Sequence, residues 1–154
     1  MKAWPSLSSA GKLGSVRQHQ KHIEIATSGQ GLYEITAAVA AFVSASGLRT
    51  GQVMVYIRHT SASLLIQENA DADVQHDLAE FFARLVPENM DWLRHTAEGP
   101  DDMPAHIKGA LTQTALAIPI TEGAMALGTW QGIFLFEHRA RPHERRVVLH
   151  AIGD

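Results

Sequence analysis

The sequence predicts an α+β fold, and three observations carry that prediction. Apolar residues recur at helical spacing in some segments and form alternating or β-branched runs in others. Helices and strands intermix without the regular strand–helix–strand repetition of a doubly wound sheet, and turn signals near Gly123 and at Arg141 to Glu144 point to antiparallel hairpins. A chain of 154 residues, 45% hydrophobic and 19% charged, has core material for one domain, and the absence of cysteine excludes a disulfide scaffold or a thiol nucleophile. The expected architecture is a single compact domain of mixed or antiparallel sheet layers with about three helices.

Residues 1–15, rich in Ser, Gly and Pro and without period, are expected to form a flexible N-terminal arm with Trp4 as its candidate anchor; residues 16–154 form the domain. Val16 to Ala26 alternates imperfectly and reads as a strand ended by Thr27-Ser28-Gly29. Ile35, Val39, Phe42 and Val43 mark a first helix, with Gly47 at its C-terminal cap. Val53 to Ile57 and Ser63 to Ile66 are strands around a polar corner at His59-Thr60-Ser61. Val74, Leu78, Phe81, Phe82 and Leu85 draw an apolar stripe down a second helix, from about Ala70 to Val86, which Pro87 stops. A third helix is expected over Ala105 to Thr114, and Leu116 to Ile120, Gly132 to Glu137 and Arg146 to Ile152 are the closing strands.

Composition narrows the function classes. A net charge of −3 argues against a nucleic-acid-coating protein. No apolar run approaches the ~20 residues of a membrane span. The first residues lack the apolar core of a secretory signal, so a cytoplasmic location is expected. No P-loop or glycine-rich dinucleotide motif is present.

Four segments could carry chemistry. His59 stands beside Thr60, Ser61 and Ser63, a group able to hold a phosphate or carboxylate oxygen, or simply to end a strand. Glu68 and Asp71 open the second helix, where capping explains carboxylates well. Yet ten of the sixteen carboxylates fall between Glu68 and Asp102 against only Arg84 and Arg94, an excess that invites a divalent cation or an amine. The segment from His95 to His106 sets two imidazoles among Glu98, Asp101 and Asp102; that donor set suits zinc or a similar ion, its rival being a helix cap with solvent-facing histidines. His138, Arg139, Arg141, Arg145 and Arg146 could clamp a diphosphate or line an exposed hairpin tip. Trp130 and Gln131, between two glycines, could stack on a flat ring or pack under a bulge.

Together these motifs are more specific. His59-Thr60-Ser61-Ala62-Ser63-Leu64, Glu68-Asn69-x-Asp71, the block from Glu98 through Asp101-Asp102-Met103-Pro104-Ala105-His106-Ile107-Lys108, Gly128-Thr129-Trp130-Gln131-Gly132 and Glu137-His138-Arg139 with Arg145-Arg146 resemble the YjbQ-like family. Its members are also called secondary thiamine-phosphate synthase enzymes. The match runs from about Val16 to Asp154, with Glu-His-Arg where many members have Asp-Gly-Pro-Arg. The resemblance implies a compact α+β fold, a homotrimer, and polar motifs that meet at or near subunit boundaries. It also implies an enzyme acting on a small phosphorylated metabolite, joining a pyrimidine diphosphate to a thiazole phosphate with loss of diphosphate. In that scheme His59, Glu68, Asp71, His95 and His106 are the catalytic candidates, and a divalent metal, Zn or Mg, is held from among His59, His95, Asp102 and His106. Thr60, Ser61, Ser63, His138, Arg139, Arg141 and Arg145 bind phosphate, and Trp130 and Gln131 position the pyrimidine. The alternatives are a non-catalytic trimer that binds a metal or phosphometabolite, and a metal-dependent phosphoester hydrolase.

Overall fold

The computed structural model describes residues 15–154. The arm read at 1–15, Trp4 included, therefore falls almost wholly outside the described residues. The elements run β1 (Arg17–Thr27), β2 (Gly31–Glu34), α1 (Thr36–Ser46), β3 (Thr50–Ile57), β4 (Ala62–Glu68), α2 (Ala72–Leu85), α3 (Asp102–Leu111), β5 (Ala115–Thr121), β6 (Ala124–Met125), β7 (Gln131–Glu137) and β8 (His143–Gly153). A five-stranded sheet has the order β1-β8-β3-β5-β6 and a three-stranded sheet the order β2-β7-β4. Every pairing within them is antiparallel, so the α+β expectation with three helices holds.

The two-residue period of the strands assigns their faces. In the five-stranded sheet Val53, Val55 and Ile57, then Leu116, Ile118 and Ile120, then Val147, Leu149 and Ala151 point inward. They meet Leu64, Ile133 and Leu135 of the smaller sheet and Val39, Phe42 and Val43 of α1. Gly47 ends α1 at φ 65°, the left-handed conformation that glycine adopts without a Cβ clash. β7 is buried on both faces: Ile133 and Leu135 enter the core, while Phe134 and Phe136 face the other way, where Phe82 of α2 meets Phe136 edge to face at 5.4 Å. The smaller sheet is thus a middle layer between the larger sheet and the α2–α3 side.

Four expectations change. β2, four residues between Gly29 and a helix, carries no strand signal in the sequence, but it pairs with β7 from Gly31↔Glu137 to Glu34↔Phe134. α3 begins three residues early because Pro104 lies in its first turn, where a missing N–H costs no hydrogen bond. The α2 stripe is only half covered, with Phe81 57% exposed and Leu85 also out. Lastly, Arg141 to Glu144 is no hairpin tip: β7 and β8 belong to different sheets, and residues 138–142 form a strap from one to the other.

Candidate metal centre and buried ion pairs

His95, Asp102 and His106 bring three donor atoms within 4.8 Å of one another. The helix explains half of this: Asp102 and His106 are i and i+4 on α3, one above the other on the same face. His95 comes from the preceding loop, and its Nε2 lies 2.7 Å from Asp102 Oδ2, while His106 Nε2 lies 3.4 Å from the same oxygen. The Asp102 carboxylate is buried and both imidazoles keep a solvent-facing edge.

The surroundings fix how these donors point. His106 Nδ1 lies 3.1 Å from the Thr60 carbonyl, which can only accept. In the neutral ring Nδ1 therefore carries the proton and Nε2 turns its lone pair toward Asp102, the second-shell arrangement of metal-bound histidine. Gly109, one turn beyond His106, makes this approach possible: a Cβ there would lie 2.9 Å from the Thr60 carbonyl oxygen. Arg139 holds the far side of the centre. Its Nε donates to Asp101 Oδ2 at 3.0 Å, its Nη1 to Asp102 Oδ1 and its Nη2 to the Glu98 carbonyl at 2.9 Å. Although burial alone would raise the Asp101 pKa, hydrogen bonds from the Ala140 N–H and Arg139 outweigh it and hold the carboxyl below its usual range. Asp101 is thus bound to the strap and does not cap α3 with its side chain.

Strand alternation builds a second buried pair. Glu137, in phase with Ile133 and Leu135, projects toward the larger sheet, where Arg145 of β8 forks onto both of its oxygens, Nε to Oε2 at 2.6 Å. The Thr27 hydroxyl donates to Oε2 at 2.8 Å and the Arg139 N–H to Oε1 at 3.0 Å. Burial pushes the Glu137 pKa up, and these donors more than reverse it, so the group stays ionised. Arg145 also reaches the Ser61 hydroxyl at 3.2 Å and faces His59 Nδ1 at 3.4 Å. His59 Nε2 accepts the Arg146 N–H at 2.8 Å, and burial followed by Arg145 lowers its pKa.

His138 takes the opposite phase. Its ring packs on Phe136 at 4.4 Å and its Nε2 lies 2.9 Å from the Ser63 hydroxyl. Burial is the main reason its pKa drops to about 3. The folded protein thus refuses a proton that the unfolded chain accepts below about pH 6.5. The stability this contributes is complete above that pH and is lost as pH falls toward 3, which amounts to about 2 kcal/mol between pH 6.5 and 5. Glu137 and Asp101 act in the same direction, but only below their ordinary carboxylate range. Urea unfolding at pH 7 and pH 5 should show this loss, and His138→Gln should remove most of it; an unchanged loss in the variant would mean that another group titrates there.

The expected site residues therefore divide. His95, Asp102 and His106 converge. His59 stands outside that donor cluster with its Nε2 occupied, and Ser61 and Ser63 spend their hydroxyls on Arg145 and His138. Arg139 and Arg145 are buried and neutralised by Asp101, Asp102 and Glu137, so they do not form the expected diphosphate clamp; Arg141 is exposed beside it. Glu68 accepts the Ala70 and Asp71 N–H groups, and Asp71 caps α2 through the Asp73 N–H. They lie with Trp130 and Gln131 at the far end of β4 and β7, since Glu68 pairs with Gln131 and Ala62 with Glu137. Seven strand residues separate the two ends, roughly 20 Å. Glu137 and Lys108 carry no site signal of their own in the sequence beyond, for Glu137, a lone carboxylate closing an unbroken apolar strand.

The profile of the family described as UPF0047 protein YjbQ-like matches residues 21–154. The chain belongs to this family. A UPF0047 protein of Synechocystis is 56% identical over 138 residues, covering 90% of this chain and 94% of the relative. The UPF0047 protein YjbQ of Escherichia coli O157:H7 is 36% identical, covering 88% of this chain and 99% of its own. A crystal structure of an uncharacterised YjbQ/UPF0047 family protein from Clostridium acetobutylicum superposes with a TM-score of 0.78 at 34% identity, covering 84% and 97%. A protein of unknown function from Sulfolobus solfataricus shares the fold with a TM-score of 0.83 at 23% identity, covering 90% and 99%. These findings correct the expected function. The relatives are described by family alone or as of unknown function, and nothing in them indicates a thiamine-phosphate synthase, another transferase or a phosphoester hydrolase. No helix among the described residues is long and apolar enough to cross a membrane.

Proposed function

We propose that this protein binds one divalent transition-metal ion, zinc by preference, through His95 Nε2, His106 Nε2 and Asp102 Oδ2. The observation that carries this reading is the turning of the His106 Nε2 lone pair toward the Asp102 carboxylate by the Thr60 carbonyl. Two acceptors facing each other repel unless a cation lies between them. Two imidazoles and one carboxylate suit zinc or iron, whereas magnesium prefers oxygen donors alone. Three protein ligands, two of them half-exposed imidazoles, leave room for water or a small anion, as in zinc sites that exchange a ligand. Arg139, on the other oxygen of Asp102, holds that carboxylate in place.

Elemental analysis of untagged protein should find about one metal ion per chain, and His106→Ala or His95→Ala should remove it while the circular dichroism spectrum stays unchanged. Full metal content in both variants would overturn the reading. The same proposal includes a homotrimer: Phe81, Leu85 and Trp92 are exposed and would be buried between copies. Light scattering should give the mass of three 16.8 kDa chains, and a monomeric mass would remove that part.

A further inference from the structure

The metal centre leaves a half-open pocket unused. A cavity of about 230 Å³ is lined by Gln30, His76, Glu80, Phe82, Lys108 and His138, between α2 and the α2-facing side of the smaller sheet. One largely buried cation belongs to it. Lys108 is 6% exposed, yet it forms no ion pair among the described residues. His138 is 1% exposed and lines the pocket beside it; its Nδ1, which has no hydrogen-bond partner, is closed off from solvent, and Nε2 is taken by Ser63. A largely buried lysine without an ion pair, with the carboxylates of Glu88 and Asp101 acting on it only at longer range, leaves its ammonium free to take an anion.

We propose that this pocket binds a small organic monocarboxylate, which accepts charge-assisted hydrogen bonds from the Lys108 ammonium. One cation without an ion pair matches a single negative charge; a phosphate dianion would need more donors, and Glu80 and Glu137 at the lining would repel it more strongly. The carbon part of the ligand has a wall prepared for it, since Phe82, Phe136 and His138 pack in sequence edge to face. The space is below the usual range for drug-sized ligands, so the molecule is small. Lys108 and His138 share no residue with the metal site, so the two proposals fail or succeed separately.

Sodium benzoate, with benzamide as its uncharged isostere, tests this on the full chain by calorimetry and by chemical-shift mapping. Benzoate should bind saturably and move the resonances of Phe82, Phe136 and Lys108, and benzamide should bind at least tenfold more weakly. Lys108→Met keeps the length of the side chain without its charge, and Lys108→Gln keeps polarity; each should lose benzoate binding at least tenfold while retaining its zinc. Benzoate bound no better than benzamide, or shifts elsewhere on the surface, would overturn the proposal. So would no binding of benzoate at all, or unchanged binding by both variants. Should neither variant fold, the wild-type comparison of benzoate with benzamide still decides.

Discussion

Arg145→Met is expected to destabilise the protein by about 3–5 kcal/mol, the cost of leaving a buried charge without its partner. Glu137 is 0% exposed, and among the described residues its only ion-pair partner is the guanidinium of Arg145, which binds both of its oxygens. With that group removed, the carboxylate must either stay charged in an apolar interior or take up a proton and lose the fit to the Thr27 hydroxyl and the Arg139 N–H. For a chain of this size the loss corresponds to a fall of roughly 6–20 °C in melting temperature. Adding Glu137→Gln to Arg145→Met should restore part of the stability, because the amide is neutral and still accepts a hydrogen bond. Denaturant unfolding of the single and double variants measures both effects; a loss below 1 kcal/mol for Arg145→Met would mean that Glu137 is not held as a buried anion.

The second large effect is conditional on metal. Arg139→Met strips the cation from Asp101 and Asp102 together and should cost about 3–5 kcal/mol in the presence of a chelator. With zinc added the cost should be smaller, since the ion takes over the charge of Asp102 and binds only the folded state. Asp101 receives no such help, so recovery is partial. Thermal unfolding with chelator and with zinc reads this difference directly. An equal loss under both conditions would place the metal away from Asp102.

Much of the scaffold was legible because punctuation residues carry local physics. Gly47 and Pro87 set the ends of α1 and α2, and the β-branched runs located β3, β5 and β8. What the sequence did not show was distance. Arg139 and Arg145 look like free cations among four neighbouring arginines, yet the carboxylates that neutralise Arg139 lie 38 and 37 residues away, on a helix start that reads as loop. The metal donors were readable individually, but their convergence depends on α3 beginning at Asp102, which alone puts Asp102 and His106 on one turn. Glu68, Asp71, Trp130 and Gln131 offer similar chemistry in the sequence, but the antiparallel β4–β7 pair holds them at its opposite end.

The strap from β7 to β8 has a consequence for cooperativity. Its ends are tied by the Glu137–Arg145 pair, its second residue is tied to the start of α3 through Asp101 and Asp102, and its third, Ala140, donates its N–H to Asp101 at 2.9 Å. Neither sheet can peel away without exposing a charge that only the other sheet or α3 neutralises. Partial opening therefore costs nearly as much as complete opening, and the two sheets and α3 unfold as one unit. The amide protons of Arg139 and Ala140, although they belong to a connection and not a strand, are expected to exchange with solvent only in that global event.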